Sequence, residues 1–216
     1  MASMPLIGSR RWSRFAIADD AYGGNVTVGK FTHRWLQSSI IARIEGADPK
    51  LKEEVVIFGA HLDSFNLTNP VNGRAPGYAA EEVGLLGSGE IAQTYFTQGV
   101  KVVAMVNYDG VGYHAGANQI GLLTDHTSTT LTALLRLLIE KYCAFSWINH
   151  QCGYGCSDHA SFTRHGFPAA SPSEYPMNPN MHKEIDTAEK MSFKQIAEFV
   201  KLTVGTAVEI AEVQEA

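Results

Sequence analysis

Val55-Val56-Ile57-Phe58-Gly59-Ala60 is an unbroken apolar run that leads directly into His61-Leu62-Asp63-Ser64. Such a run is typical of a strand in a parallel sheet covered on both faces, so we expect both sides of it to be buried. Val102 to Val106 is a second such run, and Ile120 to Leu123 is a weaker third. Ser39 to Ile44 also predicts a strand.

Helical patterns alternate with these strands. Apolar side chains recur at helical spacing from Leu131 to Tyr142, and Gly87 to Gln98 predicts another helix. Ser192 and Gln195 form a capping box before a third helical pattern. Strands alternating with helices predict an α/β fold of three layers, in which helices flank a mostly parallel central sheet. Residues 1–35 show no clear period, and we expect them to wrap the surface.

Composition favours one globular domain and excludes several partners. The chain has 216 residues, 45% of them hydrophobic, which suffices for a substantial core. A net charge of -5 argues against nucleic acid or an anionic membrane as a partner, and no apolar run is long enough to span a bilayer. Met1 to Arg14 lacks the apolar region of a secretory signal. Two glycosylation triplets, at Asn25 and Asn66, nevertheless lean towards secretion.

Cysteine spacing offers two interpretations. Cys152 and Cys156 enclose Gly-Tyr-Gly, a spacing that a tight disulfide loop can close. A metal site built on these two thiols is the weaker alternative, because structural zinc sites usually provide four ligands.

The segment between residues 64 and 80 lacks the helical pattern expected between two parallel strands. Neighbouring parallel strands need a crossover of a dozen or more residues, usually a helix. Residues 64–80 instead carry three turn signals, Asn69-Pro70, Asn72-Gly73 and Pro76-Gly77. The following Tyr78-Ala79-Ala80-Glu81-Glu82 resembles the end of a strand whose body is missing.

Four residues could carry chemistry if the fold gathers them. His61 follows a buried strand, where open α/β sheets bind ligands, although a strand-end His-x-Asp is often only a local hydrogen-bonded pair. Asp63 could orient the His61 imidazole from behind. Asp109 follows the Val102–Val106 strand and His182 lies in a proline-rich loop; alone, each could equally be a turn or surface residue. Three of the candidate positions, His61, the Glu81-Glu82 pair and Asp109, lie at the ends of consecutive strand-like runs, and this convergence favours a metal site.

Adjacent carboxylates at Glu81 and Glu82 can divide two tasks. One can hold a metal while the other, desolvated beside it, moves a proton. The alternative is a solvated helix start, where acidic residues favour the helix dipole. Ser157-Asp158-His159 could suggest a nucleophilic set, but it lacks a glycine-flanked nucleophile elbow, so we interpret Asp158 and His159 as structural.

Five segments, in this order, resemble the secreted zinc-dependent leucine aminopeptidases of the co-catalytic di-zinc family. They are Gly59 to Ser64, Tyr78 to Leu85, Asn107 to Asp109, Cys152 to Ser161, and His182 to Thr187. The resemblance implies a peptidase domain over residues 31–216 behind an N-terminal extension of residues 1–30. It also implies secretion, two Zn²⁺ per chain, and peptide substrates with a free N-terminus.

Site roles follow from the resemblance residue by residue. His61 and Asp109 would hold one zinc, and Glu82 and His182 the other. Glu81 would be the general base, and Asp63 would support His61. Cys152 and Cys156 would form a disulfide beside the substrate pocket, where Tyr154 could help to stabilise the tetrahedral intermediate.

One departure from the family changes the expected activity. The family places an aspartate that bridges both zincs between the histidine and glutamate motifs, but residues 64–80 contain no Asp or Glu. We expect an internal deletion near residues 77–78 that removes this aspartate, a helix and most of a strand. The leading hypothesis is a zinc aminopeptidase with impaired activity, and the alternative is a catalytically inactive peptidase-like binding module.

Overall fold

A computed structural model describes residues 26–35, 37–61, 63–64 and 78–211. Both glycosylation triplets, the three turn signals and the expected deletion point lie partly or wholly outside these ranges. The strands are β1 Val26–Thr32, β2 Ser38–Ile44, β3 Glu54–Gly59, β4 Lys101–Asn107, β5 Gln119–Leu123, β6 Ser146–His150, β7 Ala169–Ala170 and β8 Pro172–Glu174. The helices are α1 Leu86–Thr97, α2 Thr129–Tyr142, α3 His159–Arg164 and α4 Phe193–Ala211, with a 3₁₀ turn at Ala188–Lys190.

Parallel pairing dominates the interior of the fold, as the alternating pattern predicts. Strand β4 pairs in parallel with β3 and β7. Strand β5 pairs in parallel with β6 and antiparallel with β8. The α/β fold class is therefore confirmed. No helix in the described ranges has the length and apolar character needed to cross a bilayer.

Strand β1 is one of the strands that the sequence pattern missed; β6, β7 and β8 are the others. Residues Val26–Thr32 form an antiparallel hairpin with β2, whereas we expected residues 1–35 to wrap the surface without a strand. The cause is that β1 alternates only weakly and contains Gly29 and Lys30. It gains its order from pairing with β2, and the sequence does not show that pairing.

Two apolar clusters form the core. The larger one joins β4 and β5 to helices α2 and α4, and its most buried members include Leu135, Ile139 and Leu202, all fully buried. Helix α2 begins at a cap in which the Ser128 hydroxyl accepts the amide of Leu131. The smaller cluster joins β4 to α1 and α3 around Met105 and Phe162.

Strand β3 is less buried than its composition predicts. Its residues are mostly half-buried, and 37% of Phe58 is exposed. On one side β3 pairs with β4; on the other, the described residues provide only a single parallel bridge between His61 and Tyr78. Val56 packs against the larger cluster and Ile57 against the smaller one, but both remain half-buried, so the expectation of burial on both faces was wrong.

A tight backbone approach holds the segment after Tyr78 against α1. Ala80 has a left-handed backbone with φ 58°, and a side chain at Gly87 would collide with the carbonyl of Ala79. The Ser39 hydroxyl on β2 accepts the amide of Ala79 at 3.1 Å. This short segment therefore connects the hairpin, β3 and helix α1.

Candidate metal centre

His61 lies directly beyond the end of β3, and both of its ring nitrogens face acceptors. Nδ1 donates to the backbone carbonyl of Asp63 at 2.8 Å, and Nε2 lies 3.3 Å from Asp109 Oδ1. The carbonyl bond directs Nε2 towards Asp109, which makes Nε2 the atom available for a metal. Asp63 thus approaches His61 through its backbone; its own carboxylate lies 3.9 Å from the imidazole.

The carboxylate of Asp63 has a different task. It accepts the backbone amides of Glu81 and Glu82, each at 2.9 Å. The left-handed turn at Ala80 presents both amides on the same side. Asp63 therefore fixes the two adjacent glutamates at the edge of the sheet beside His61.

Glu82 and His182 form a second pair. His182 Nε2 lies 3.0 Å from Glu82 Oε1. His182 has a left-handed backbone with φ 62°, a strained conformation for a residue with a side chain. The loop after β8 therefore brings His182 to the carboxyl ends of the strands, beside Glu82, although the two residues are 100 positions apart in the sequence.

Asp109 follows β4 and is held by polar neighbours as well as by His61. The Ser157 hydroxyl accepts the side-chain amide of Asn107 at 2.8 Å, and its proximity helps to lower the pKa of Asp109. Asn107 and Ser157 are fully buried, so this contact fixes Asp109 from the protein interior. Sequence reasoning missed this role of Ser157, because the role depends on the fold bringing residue 157 beside residue 107.

Burial and charge both act strongly on these groups. Burial alone would lower the pKa of His61, but the hydrogen bond and charge of Asp109 outweigh it and raise this pKa to about 10. Burial likewise opposes ionisation of Asp109, yet His61 holds its pKa below the ordinary value. Burial raises the pKa of Glu81 to about 8, partly offset by His61.

Asp158 and His159 are fully buried next to this centre. Neither oxygen of Asp158 and neither ring nitrogen of His159 has a hydrogen-bond partner among the described residues. The nearby Ser88 hydroxyl bonds instead to Leu85 and Ser161. Burial raises the pKa of Asp158 to about 7 and lowers that of His159 to about 4. Ser157-Asp158-His159 is recognisable as a motif in the sequence, but only the structure shows that the Asp158 and His159 side chains are buried without hydrogen-bond partners among the described residues.

The disulfide predicted between Cys152 and Cys156 is present, with 6.2 Å between the Cα atoms. Both oxygens of Asp125 accept backbone amides of this loop, from Cys152 and Gly153. Tyr154 at the tip is 66% exposed. The disulfide and Asp125 thus present an aromatic side chain to solvent on a fixed loop.

The donor set suits zinc. Two ligand atoms bound to one tetrahedral zinc at about 2.0–2.1 Å lie about 3.3–3.4 Å apart. The separations of 3.3 Å for His61–Asp109 and 3.0 Å for Glu82–His182 are close to this. Imidazole with carboxylate favours zinc over magnesium or calcium, which prefer oxygen ligands alone. His61, Glu81 and Glu82 also place three ligand atoms within 4.8 Å of one another.

Leucine aminopeptidases are among the known proteins with sequences similar to this chain. The probable leucine aminopeptidase 1 of Trichophyton verrucosum is 36% identical over 237 residues, covering 88% of this chain and 62% of the relative. The leucine aminopeptidase 1 of Arthroderma otae is 36% identical over 231 residues, covering 86% and 61%. This chain therefore spans about six tenths of these relatives. Both alignments are longer than its 216 residues, so the relatives contain residues without a counterpart here.

A solved structure and a family model agree with these relatives. The LapA aminopeptidase of Legionella pneumophila superposes with a TM-score of 0.76 at 28% identity, covering 88% of this chain and 60% of that chain. The model for Peptidase family M28 matches residues 74–207, more than half of the chain. The matched range contains the paired glutamates, Asp109, the disulfide loop and His182. The motif resemblance to these aminopeptidases is thus confirmed, and the chain belongs to Peptidase family M28.

Proposed function

We propose that this chain is a zinc-dependent aminopeptidase that releases N-terminal, leucine-like residues from peptides, with impaired turnover. The observation that carries the proposal is the meeting of two imidazole–carboxylate pairs, His61–Asp109 and Glu82–His182, at one sheet edge beside the buried Glu81. The names of the relatives supply the reaction class and the leucine preference.

Each pair has a defined role in the proposed reaction. His61 with Asp109, and Glu82 with His182, would hold the metal. Bound zinc supplies a Lewis acid and a water of lowered pKa. Glu81 accepts the proton of the attacking water, since its carboxylate lies within the donor cluster and is shielded from solvent. Tyr154, on the disulfide loop, is proposed to contact the substrate.

Substrate, location and extent of the domain are parts of the same proposal. The substrates are peptides with a free N-terminus, and the chain acts outside the cell, as the fungal relatives and the disulfide suggest. Nucleic acid and membranes are not expected as partners, given the net charge of -5. The peptidase domain covers residues 31–216, and residues 1–30 form an extension. Because β1 begins at Val26, its first five residues would lie in that extension.

Impaired turnover rests on the segment before Tyr78. Residues 64–80 contain no Asp or Glu that could bridge two ions. The relatives' alignments exceed the length of this chain, which supports a deletion; its place near residues 77–78 is inferred from the turn-rich segment before Tyr78. Each pair then offers two protein ligands, whereas catalytic zinc sites normally provide three. This shortage also favours the second candidate, a peptidase-like module that binds peptides without cleaving them.

Hydrolysis of leucine p-nitroanilide tests the proposal. The purified chain is assayed with added Zn²⁺ and with a chelator, alongside Glu81→Gln and a control, Glu53→Gln, whose exposed carboxylate lies before β3. We expect slow zinc-dependent turnover that falls at least about 100-fold in Glu81→Gln and is unchanged in Glu53→Gln. Absence of turnover from the folded parent, with chelator-insensitive binding of a leucyl peptide, would instead establish the binding module.

A further inference from the structure

His61, Glu81 and Glu82 form the most compact donor set in the described parts of the chain. One ligand atom from each lies within 4.8 Å of the other two, and no other three His, Cys, Asp or Glu residues described meet that condition. The pairs expected to hold two ions provide only two ligands each. A single ion can therefore reach three protein ligands at the compact set, and a zinc site needs about that number.

Two neighbouring ions lack the charge that would hold them together. Divalent cations a few ångströms apart repel unless a shared carboxylate lies between them. Residues 64–80 contain no carboxylate that could take that position. Asp109 contacts His61, and both oxygens of Asp63 accept the Glu81 and Glu82 amides, so these two carboxylates already have partners of their own.

The backbone keeps both glutamates in place for one ion. The Asp63 carboxylate accepts the amides of Glu81 and Glu82 at 2.9 Å each, so the two residues cannot move apart independently. The Asp63 carbonyl holds His61 Nδ1 at 2.8 Å, which leaves Nε2 as the ligand atom. One residue, Asp63, thus orders all three donors.

Asp158 provides an independent indication that a cation belongs here. Its carboxylate is fully buried, and both oxygens lack a partner among the described residues. Its charge acts on His61, Glu81 and Asp109. A buried carboxylate without a partner is costly, and a bound cation nearby compensates its charge.

We propose that this chain binds a single Zn²⁺ through His61, Glu81 and Glu82, so that Glu81 is a metal ligand in the resting protein. The inference rests on the proposed function, in which Glu81 is the base, and it supplies the reason for impaired turnover. A carboxylate oxygen that ligates a metal is not free to take a proton. Glu81 must leave the ligand set before it can act, so turnover is slow although the metal is bound.

Metal content and affinity test this without an activity readout. The parent chain, Glu81→Gln and Glu53→Gln are dialysed to equilibrium against Zn²⁺, and bound zinc is counted by native mass spectrometry. Competition with a chromophoric chelator gives Kd. We expect one zinc per chain in the parent and in Glu53→Gln. Glu81→Gln should bind zinc more weakly by at least the roughly 10- to 100-fold that loss of a supporting residue costs.

Three results would overturn the inference: two zincs per parent chain, no zinc bound to the folded parent, or parent-like affinity in Glu81→Gln. Should Glu81→Gln fail to fold by circular dichroism, the visible spectrum of Co²⁺ bound to Glu81→Asp replaces it. A spectrum altered from that of the parent supports ligation by residue 81, and an identical spectrum contradicts it. Hydrolysis of leucine p-nitroanilide is measured separately, so that the two proposals can fail independently. If the chain binds one zinc through Glu81 but shows no turnover, only the proposed function is overturned. If it turns over substrate with two zincs bound, only this inference is overturned.

Discussion

The two halves of the molecule differ in how well neighbours cover their apolar side chains. In the covered half, β4 and β5 lie against α2 and α4, and Ile139 and Leu202 are fully buried. In the open half, β1 to β3, the exposed fractions are 56% for Ile40, 72% for Ile44 and 37% for Phe58. Strands β3 and β4 are similarly apolar in sequence, so the difference comes from their neighbours. Burial is decided by the strand or helix that covers a surface, not by the composition of that surface alone.

The candidate site lies where these halves meet. His61, Glu81 and Glu82 belong to the open half, and Asp109 and His182 reach it from the covered half. A loss of packing in the open half therefore affects metal donors directly. Mutations confined to one half or the other can show how much the stability and metal affinity of the site depend on each half.

Isoleucine truncation should give the largest contrast. Ile139→Ala removes fully buried methyl groups from the covered half and should lower the free energy of unfolding by about 2–5 kcal/mol, because it leaves a cavity. Ile40→Ala is the matched change in the open half and should cost under about 1 kcal/mol, since this side chain is 56% exposed. Urea unfolding of both variants checks this. Equal losses would show that the open half is covered in solution.

Asp158→Asn should change how stability depends on pH. The pKa of Asp158 is raised from 3.8 to about 7, so the folded chain holds a proton that the unfolded chain releases near pH 4. Stability of the metal-free parent should therefore fall as pH rises from about 4 to about 7. A shift of about three pKa units corresponds to at most about 4 kcal/mol. The raised pKa of Glu81, about 8, makes stability fall with rising pH in the same way, and this contribution remains in Asp158→Asn.

The comparison is made in chelator at pH 5 and pH 8. Asp158→Asn should match the parent at the lower pH and be more stable at the higher pH. A variant that is less stable than the parent at pH 8 would mean that Asp158 has an ionic partner in solution, contrary to its isolation among the described residues.

Asp63→Asn tests whether Asp63 positions the metal donors Glu81 and Glu82 in the open half. The amide replaces one of two oxygens that accept the Glu81 and Glu82 amides, so we expect a loss of about 1–3 kcal/mol in stability. Zinc affinity should fall by roughly 10- to 100-fold. Asp48→Asn is the matched control, because the Asp48 carboxylate accepts the amides of Lys50 and Leu51 on an exposed turn before β3 and contacts none of the donors in these bonds. Chelator competition should find its zinc affinity unchanged.

Ser39→Ala should have the smallest effect of the four. The buried Ser39 hydroxyl accepts the Ala79 amide at 3.1 Å and hydrogen-bonds to His33 Nε2 at 2.7 Å. Losing it should cost about 1–2 kcal/mol, because the Ala79 amide is left unsatisfied. Ser146→Ala, at an exposed hydroxyl, is the control and should be neutral within about 0.5 kcal/mol. Equal losses in thermal unfolding would mean that Ser39 does not connect the hairpin to the site.

Most elements could be predicted because their signals are local. The apolar run before His61, the helical spacing from Leu131 to Tyr142 and the capping box at Ser192 all lie where the structure has β3, α2 and the start of α4. Strand β1 could not be predicted in this way, since its order comes from pairing with β2. The exposed side of β3 was missed for the same reason: a covering neighbour is a property of the whole chain.

Local sequence patterns were enough to predict the fold class, to favour a disulfide between Cys152 and Cys156, and to name the kinds of donor available at the strand ends. Those depend on periodicity, on spacing, and on motifs whose chemistry is fixed by residue type. The folded structure is needed to see that Asp63 accepts from His61 through its carbonyl and from the two glutamate amides through its carboxylate. It alone showed that Asp158 is buried without a partner among the described residues. Distances, burial and charge arise when remote segments meet, and no single segment of the sequence contains them.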